Sequence, residues 1–429
     1  MLPYICFRNP SSPDMSTEQK MTFSVLDWGR NRLTTAIIVA LGLGAFVLVN
    51  WTNGRLWMAD FKVYFDAAEM WLDGGSPYGR SYGLSSGYYK YAPIALAPFV
   101  LLQPLGFELA RTLYLLFLFG SMVIWVPTVV DMVYRRLRFH QVQMSRPKVW
   151  AFAVFGVLTL QHLSRELLLG NVNWLLLIGI LVWWARVAKP RHPNRHAVLS
   201  GLLLAVICIF KPHFAVLIPW LAWRRPRRYI IWTILWGLIL LALPMLVVGP
   251  VANFELIYDW LGALVGHNSA TVTSFNTLAG MLGLANSGAY AWVPLILALA
   301  LLMMWIGRYY SVEPHDESLE VFVLVGILPN LVLTDTEHFM WSLPMVAWWA
   351  ILLTNESFWK NIPSWDRWLT TLVFGVMMVP YCLASPDLWG EEIGSWLEHG
   401  GALGWSNLFI VLGGLWMHHV YLTSNTNED

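Results

Sequence analysis

Charged residues are scarce in this chain of 429 residues. Only 12% of its residues are Asp, Glu, Lys or Arg, whereas 57% are hydrophobic. A soluble protein carries about 25% charged residues, so the shortage excludes an ordinary soluble domain and places most of the chain in lipid. The net charge of +1 gives no bulk attraction to nucleic acid. We therefore expect membrane lipids, and no nucleic acid, as partners.

Cysteine and the common catalytic motifs are also few or absent. Cys6, Cys208 and Cys382 are far apart in the sequence, which excludes a disulfide framework and the spacing of a metal site. The sequence has no phosphate-binding glycine loop, no HExxH, no GxSxG and no nucleotide-binding Rossmann fingerprint. We therefore expect no cofactor and no metal, and no soluble domain that would bind a nucleotide-sugar.

Apolar segments fill most of the chain and predict an all-α polytopic membrane protein. A helix needs about 20 apolar residues to cross a bilayer, and the 26 Trp and 16 Tyr suit the aromatic belts at the two interfaces. About 12 transmembrane helices are predicted, near residues 33–50, 108–133, 149–163, 171–187, 197–211, 212–223, 229–248, 288–307, 318–334, 338–354, 368–385 and 402–422. The short pair 197–211 and 212–223 is a candidate hairpin with Lys211 at its tip.

The direction of threading depends on residues 92–106, a segment of 15 residues with three prolines. If this segment does not cross the membrane, most of the 27 Lys and Arg residues lie on one side, which the positive-inside rule makes cytoplasmic. We therefore expect a cytoplasmic tail at residues 1–32, one integral-membrane domain at 33–422 and a cytoplasmic tail at 423–429. The loops 51–91 and 249–287 then face outward, and short interfacial helices are expected in the first.

The polar interval between Trp51 and Tyr91 is the most informative stretch. Asp60 follows the first apolar segment by about ten residues, at the depth of a lipid head group. A carboxylate held in an aromatic-rich loop at the membrane surface indicates chemistry on a lipid-borne substrate. The alternative is a helix cap or a surface charge, because Asp66, Glu69 and Asp73 recur at helical spacing as they would on a solvated face.

Further polar residues share the predicted outer face, where charges beside spans usually line a polar cavity. Lys211 stands between two apolar runs and carries a compact charge suited to phosphate, unless it extends to the interface. Arg165 is a second candidate phosphate ligand, although it could simply neutralise a neighbour. Other residues of this group are His162, Glu166, Asn171, Asn173, His213, His267, Asn268, Asn276, Asp335, Glu337 and His338.

The order of several segments resembles the membrane glycosyltransferases of family 87, which belong to the GT-C class. The matching segments are ADFKVYFDAAEMWLDGGSPYG, YKYAPIALAPFVLLQPL, GNVNWLLL, LSGLLLAVICIFKPHFAVLIPWLAWRR, SFNTLAGML and LTDTEHFMWSLP. The resemblance implies a GT-C-like helical bundle that uses a polyprenyl-phosphate sugar as donor. It also implies an inverting transfer, with mannose favoured, to a lipid-linked or glycan acceptor at the extracytoplasmic face of the plasma membrane.

The resemblance also implies roles for single residues. Asp60 would be the catalytic base, and a positioned carboxylate of this kind typically accelerates transfer by about 100- to 10,000-fold. The candidate substrate-binding residues are Lys211, Arg165, His338, Asn173, Tyr64, Asn276 and Glu337. The sequence departs from the family pattern in GNVN, where Gly-Gln is frequent in place of Gly-Asn, and at Glu337, where a second His or a Trp is common.

Two other classes of membrane protein fit the same polar residues. A lipid or glycolipid transporter would also have charges in a cavity, but it would be expected to show internal repeats or broken helices in two halves, and no clear repeat is present. A polymerase or ligase of lipid-linked glycans would be a different enzyme on a similar scaffold.

Overall fold

A computed structural model describes most of the chain as helices. The described residues are 29–82, 87–139, 149–188, 193–271, 274–284, 286–308, 317–332, 336–361, 364–383 and 386–425. Within them the structure has no β-strand, only one isolated bridge between Ser81 and Tyr88. The all-α fold expected from the sequence is therefore confirmed. Most of both predicted tails, residues 1–28 and 426–429, lies outside the described residues.

The first half of the chain supplies most of the helices around the site. They are α1 (Arg30–Thr52), α2 (Ala59–Leu72), α3 (Ala97–Val100), α4 (Gly106–Phe139), α5 (Val149–Leu169), α6 (Asn173–Ala188), α7 (Pro193–Phe210), α8 (Leu217–Arg224), α9 (Arg228–Ala242), α10 (Met245–Val248) and α11 (Pro250–Thr271). Short 3₁₀ helices cover Pro93–Leu96, Gln103–Leu105 and Pro212–Val216.

The second half of the chain continues with shorter helices. They are α12 (Leu278–Met281), α13 (Val293–Arg308), α14 (Glu317–Gly326), α15 (Leu328–Val332), α16 (Leu343–Leu353), α17 (Glu356–Asn361), α18 (Ser364–Leu383), α19 (Pro386–His399) and α20 (Ala402–Asn425). Short 3₁₀ helices cover Gly288–Trp292 and Thr336–Ser342.

Four continuous helical segments of the described chain are long and apolar enough to cross a membrane, and the bent pair α19–α20 makes a fifth. Four further apolar helices are shorter than a full span. The structure thus supports a multi-pass membrane protein, whereas the expected number of twelve spans stays a prediction. Prolines and Gly106, with a φ of 70°, divide residues 92–106 into helical pieces of three or four residues. These pieces lead into α4 within one of the four segments, Pro93–Arg135, so the expectation that 92–106 does not cross stays a prediction.

The core lies around α14 and α16. Every residue of α16 from Leu343 to Leu352 is buried, and the helix packs against α4, α5 and α20. A helix that is apolar on all sides is stable only when it is enclosed in this way. The 3₁₀ helix Thr336–Ser342 directly precedes α16 and contains His338, one of the candidate site residues.

The helices alternate in direction, so the bundle has two distinct ends. The first end contains the end of α1, the start of α4, the α5–α6 turn and the end of α7. The opposite end contains an ion pair between Arg32 of α1 and Asp131 of α4, together with a buried pair between Arg224 of α8 and Glu320 of α14. The 23 residues of α1 separate the two ends by about 34 Å, close to the thickness of a hydrocarbon core.

The structure adds detail in two regions that the sequence singled out. Lys211 lies at the break after α7, and α7 contacts the 3₁₀ helix Pro212–Val216 that follows it. The more extensive packing of α7 is along α9, where Gly201 allows close contact with the backbone at Trp232. The expected outer loop 249–287 consists largely of α11. This helix is joined to the first loop by hydrogen bonds from Ser76 to Asp259 and from the Trp260 indole to the carbonyl of Lys90.

Candidate active site

Asp60 lies in the first turn of α2, at the end of the bundle that α5, α6 and α7 share. The chain enters α2 through Met58, whose φ of 48° and ψ of 53° are left-handed, and the Met58 amide donates to the carbonyl of Leu168 at the end of α5. This strained residue is buried and reverses the chain after α1. The carboxylate of Asp60 is thereby held, half-buried, against the α5–α6 turn.

The α5–α6 turn contacts Asp60 directly through Asn171. The side-chain Nδ2 of Asn171 donates a hydrogen bond to Oδ2 of Asp60. Gly170, with a φ of 64°, makes this approach possible, since a Cβ there would stand 2.8 Å from Met58 Cε and 2.9 Å from Phe61 Cβ. The turn and the start of α2 are therefore in close packing contact, and Asn171 is the residue that reaches the carboxylate.

Three buried tyrosines surround the same turn. The hydroxyls of Tyr64 and Tyr91 lie 2.9 Å apart, Tyr64 donates to Oδ1 of Asn171 at 3.0 Å, and Tyr114 donates to its backbone carbonyl at 3.0 Å. Burial first, and then neighbouring groups that include Asp60, raise the pKa of Tyr64 and of Tyr91 well above the usual 10. Both hydroxyls therefore stay protonated and act as hydrogen-bond donors at neutral pH.

Glu166 and Asn173 complete the turn from the bundle interior. Glu166 is fully buried, and its carboxylate accepts hydrogen bonds from the Trp174 amide at 2.8 Å and from Nδ2 of Asn173 at 3.3 Å. An acidic group at the start of α6 satisfies an otherwise unpaired amide and interacts favourably with the helix dipole. The structure thus gives Asn173 a contact with Glu166, and its expected role in substrate binding stays a prediction.

Lys211 and His338 form a second group close to the first. Nζ of Lys211 lies 2.5 Å from Nε2 of His338, an arrangement in which the ammonium donates to a neutral imidazole protonated at Nδ1. The same ammonium stands 5.8 Å from the ring centre of Tyr91 and 5.4 Å from that of Trp341. Both side chains are almost completely buried, and the ammonium is held among an imidazole and two aromatic rings that interact favourably with its charge.

Tyr91 connects the two groups. Its hydroxyl contacts Tyr64 and lies 3.4 Å from Oδ1 of Asn171, while its ring faces Lys211. The Tyr91 backbone carbonyl accepts a hydrogen bond from the Tyr78 hydroxyl at 2.7 Å, which anchors this part of the first loop. The side chain of Tyr91 therefore lies between two pairs of residues, Asp60 with Asn171 on one side and Lys211 with His338 on the other.

An apolar cavity of about 390 Å³ adjoins the Asn171 turn. Tyr114 and Val172 belong to both the turn and the cavity wall. The other wall residues are Pro98, Phe99, Leu102, Leu113, Phe117, Leu175 and Phe210. An apolar volume of this size beside convergent polar groups is typical of a small-molecule or lipid site.

Two other expected site residues, Arg165 and Asn276, have different surroundings. The side chain of Arg165 is exposed on α5, while Glu166 beside it is buried. Asn276 accepts a hydrogen bond from the Gly404 amide at 3.0 Å, and Asn330 donates to its backbone carbonyl at 3.2 Å. These contacts hold residues 274–281 against α20. Substrate roles for Arg165 and Asn276 stay predictions.

The segment TDTEHF is described only in part. Glu337 is buried beside His338 in the 3₁₀ helix Thr336–Ser342, and its expected role in substrate binding also stays a prediction. Asp335 lies outside the described residues.

Tyr91 was not among the residues expected at the site, and Asn171 was expected only as one of the wider group of polar residues on the outer face. Each contacts groups that are 80 or more residues away in the chain, as in the pair Tyr91–Asn171. The available signals were the two Asn residues of GNVN and the run of tyrosines in YYKY. Among the residues that the structure describes, no three His, Cys, Asp or Glu side chains form a group that could hold a metal ion.

The model of glycosyltransferase family 87 matches residues 89–334, more than half of the chain. The matched stretch includes Tyr91, Asn171 and Lys211, and it begins after Asp60 and ends before His338. No curated protein and no solved structure matches the chain.

Proposed function

Because the chain belongs to glycosyltransferase family 87, we propose that it transfers a sugar, with mannose favoured, from a polyprenyl-phosphate donor to a hydroxyl of a lipid-linked or glycan acceptor. The observation that carries this proposal is the placement of Asp60 and the Lys211–His338 pair on two sides of Tyr91. Only the side chain of Tyr91 lies between the candidate base and the candidate phosphate ligands. A displacement at the anomeric carbon of a sugar phosphate requires both groups close together.

Asp60 acts as the general base in this proposal. The acceptor oxygen forms a bond to the anomeric carbon while the bond from that carbon to the phosphate oxygen breaks, and the acceptor proton passes to the carboxylate. A single displacement of this kind inverts the configuration at the anomeric carbon. A positioned base contributes typically about 100- to 10,000-fold to such a step.

Lys211 and His338 bind the phosphate that leaves. The phosphate monoester gains negative charge as the glycosidic bond breaks, and a preorganised cation in a water-poor site stabilises that developing charge. The buried ammonium between the rings of Tyr91 and Trp341 has the position and the charge for this task. Lys211 and His338 each donate a hydrogen bond to the phosphate oxygens.

The apolar cavity beside Asn171 accommodates part of a prenyl chain. Its walls are apolar side chains such as Phe99, Phe117 and Phe210, and it borders the polar groups through Tyr114 and Val172. A lipid-borne donor needs both environments side by side, an apolar one for its chain and a polar one for its phosphate. A donor that is freely soluble would need only the polar part.

The site faces the extracytoplasmic side of the plasma membrane, and both termini are cytoplasmic, in this proposal. The site lies at the end of the bundle opposite to Arg186, Arg195 and Arg224. The positive-inside rule assigns the basic end to the cytoplasm, which leaves the site at the outer surface.

The function is tested by incubating the purified protein in lipid with a set of polyprenyl-phosphate sugars and an extract of lipid acceptors. The expected product, detected by mass spectrometry, is a glycolipid that is one sugar heavier than its acceptor, formed from polyprenyl-phosphate mannose with inverted configuration. Transfer from a nucleotide-sugar alone would contradict the donor assignment. Movement of an intact lipid between leaflets without a new glycosidic bond would favour a transporter, and transfer of a whole oligosaccharide would favour a ligase.

A further inference from the structure

We propose that Asn171 is a positioning residue that sets the orientation of the Asp60 carboxylate; this inference rests on the proposed function of Asp60 as the base. Asn171 does not touch the reacting atoms in this account. It acts through the hydrogen bond from its Nδ2 to Oδ2 of Asp60. As a consequence, the other carboxylate oxygen of Asp60, Oδ1, already has its orientation when the acceptor binds.

The hydrogen bonds around Asn171 determine which way its amide points. Its Oδ1 accepts from the Val172 amide at 2.7 Å and from the Tyr64 hydroxyl at 3.0 Å, with the Tyr91 hydroxyl at 3.4 Å. A rotation of the amide by 180° would turn its NH₂ group toward these donors and its oxygen toward the carboxylate of Asp60. Both contacts would then be repulsive, so the amide has one stable orientation.

The backbone of Asn171 is fixed as firmly as its side chain. Its amide donates to the carbonyl of Glu166 at 3.3 Å, and its carbonyl accepts from the Tyr114 hydroxyl at 3.0 Å. Gly170 allows the turn to approach α2 closely. Because both its backbone and its side chain are held, Asn171 does not have to rearrange during the reaction. A positioning contact accelerates a step under this condition.

Replacement of Asn171 by Asp separates positioning from simple structural support. The variant keeps the shape of the side chain and the oxygen that Val172 and Tyr64 contact, but it places a second carboxylate against Asp60. Two adjacent carboxylates share one proton, and the pair ionises fully only at higher pH. The other titratable groups that interact with Asp60 or with its neighbours are Tyr64 on α2, Tyr91 in the first loop, Tyr114 on α4, Glu166 on α5, Lys211 after α7 and Glu337.

The experiment measures the pH–rate profile of sugar transfer for the full-length protein and for N171D. The acidic limb of the N171D profile is expected to move to higher pH by about one unit or more, with activity regained as the pH rises. The matched control is N50D, which adds the same charge on α1, where the Asn50 side chain donates to the Phe46 carbonyl; its profile is expected to follow that of the unaltered protein. An N171D profile with an unshifted acidic limb would overturn the inference.

A second variant keeps the inference testable if N171D does not fold. N171A removes both ends of the amide, and a misplaced base is expected to lower kcat by about 100-fold while the KM for the donor stays within about twofold. A loss confined to KM, or an unchanged kcat, would overturn the inference. The two failures can be distinguished. If D60N transfers sugar at the normal rate, the proposed function of Asp60 is wrong. If D60N is inactive and N171D behaves as the unaltered protein does, only the inference about Asn171 is wrong.

Discussion

At the scale of single residues, the site consists of a carboxylate, an ammonium and the aromatic ring between them. Tyr91 contributes its hydroxyl to the Asn171 network and its ring to the surroundings of Lys211. Burial raises the pKa of Tyr91 well above its usual range, so the side chain remains a neutral donor and does not compete with Asp60 as a base. In the proposed mechanism, the two charged groups therefore have distinct roles, Asp60 as the base and Lys211 as the phosphate ligand.

Replacement of Lys211 by Met is expected to weaken donor binding. The variant keeps the apolar stem and loses the charge, and a hydrogen bond to a charged group contributes about 1.5 to 3 kcal/mol, so the KM for the polyprenyl-phosphate sugar should rise by about 10- to 100-fold. The measurement is steady-state kinetics at varied donor concentration. K62M is the matched control, because Lys62 is exposed on α2 and pairs with Asp66; an unchanged donor KM in K211M would refute the assignment.

The sequence indicated the charged candidate residues more readily than the residues that contact them. Asp60, Lys211 and His338 could be recognised because a charge beside an apolar segment is costly and unusual. Asn171 carries no charge and was expected only as one of the polar residues of the outer face, because its contact with Asp60, 111 positions earlier in the chain, is visible only in the structure. Arg165 and Glu166 are adjacent in sequence, and only the packing of α5 decides that Arg165 is exposed and Glu166 buried.

At the scale of elements, the α5–α6 turn determines where the start of α2 lies. The turn contains Gly170 in a left-handed conformation and receives the backbone hydrogen bond from Met58 to Leu168. Hydropathy predicted helices on both sides of this turn. It could not predict that the turn would pack against a short helix from the first loop, because that contact depends on shape rather than on apolar character.

Replacement of Gly170 by Ala is expected to displace α2 and to reduce both stability and activity. A Cβ there would overlap Met58 and Phe61, and the left-handed conformation disfavours alanine, so unfolding should become easier by about 1 to 3 kcal/mol. Thermal unfolding and kcat are the measurements. G44A is the control, because a Cβ at Gly44 of α1 meets no atom within 4 Å; equal behaviour of the two variants would contradict this account of the turn.

At the scale of the whole molecule, the bundle places the candidate site and the basic residues Arg186, Arg195 and Arg224 at opposite ends. Ion pairs close the basic end, among them Arg224 with Glu320 and Arg225 with Glu317. The positive-inside pattern in the sequence predicted this separation, since it depends only on the alternation of helices and charges. The expected number of about twelve spans stays a prediction, because several apolar helices of the described chain are shorter than a full span.

The orientation in the membrane is tested by labelling single cysteines. Arg55 and Arg135 are exposed near opposite ends of α1 and α4, and each is replaced by Cys in a chain from which Cys6, Cys208 and Cys382 have been removed. A membrane-impermeant maleimide is expected to label position 55 in intact cells and position 135 only after permeabilisation. Labelling of both positions in intact cells, or of position 135 alone, would refute the proposed orientation.

The central claim is that the carboxylate of Asp60 takes the proton of the acceptor, and the rate of sugar transfer by purified D60N tests it most directly. D66N is the matched control, because Asp66 lies on the same helix and pairs with Lys62 away from the site. The account predicts a rate about 100- to 10,000-fold lower for D60N, with unchanged folding, and a nearly normal rate for D66N. Transfer by D60N at the rate of the unaltered protein would contradict it.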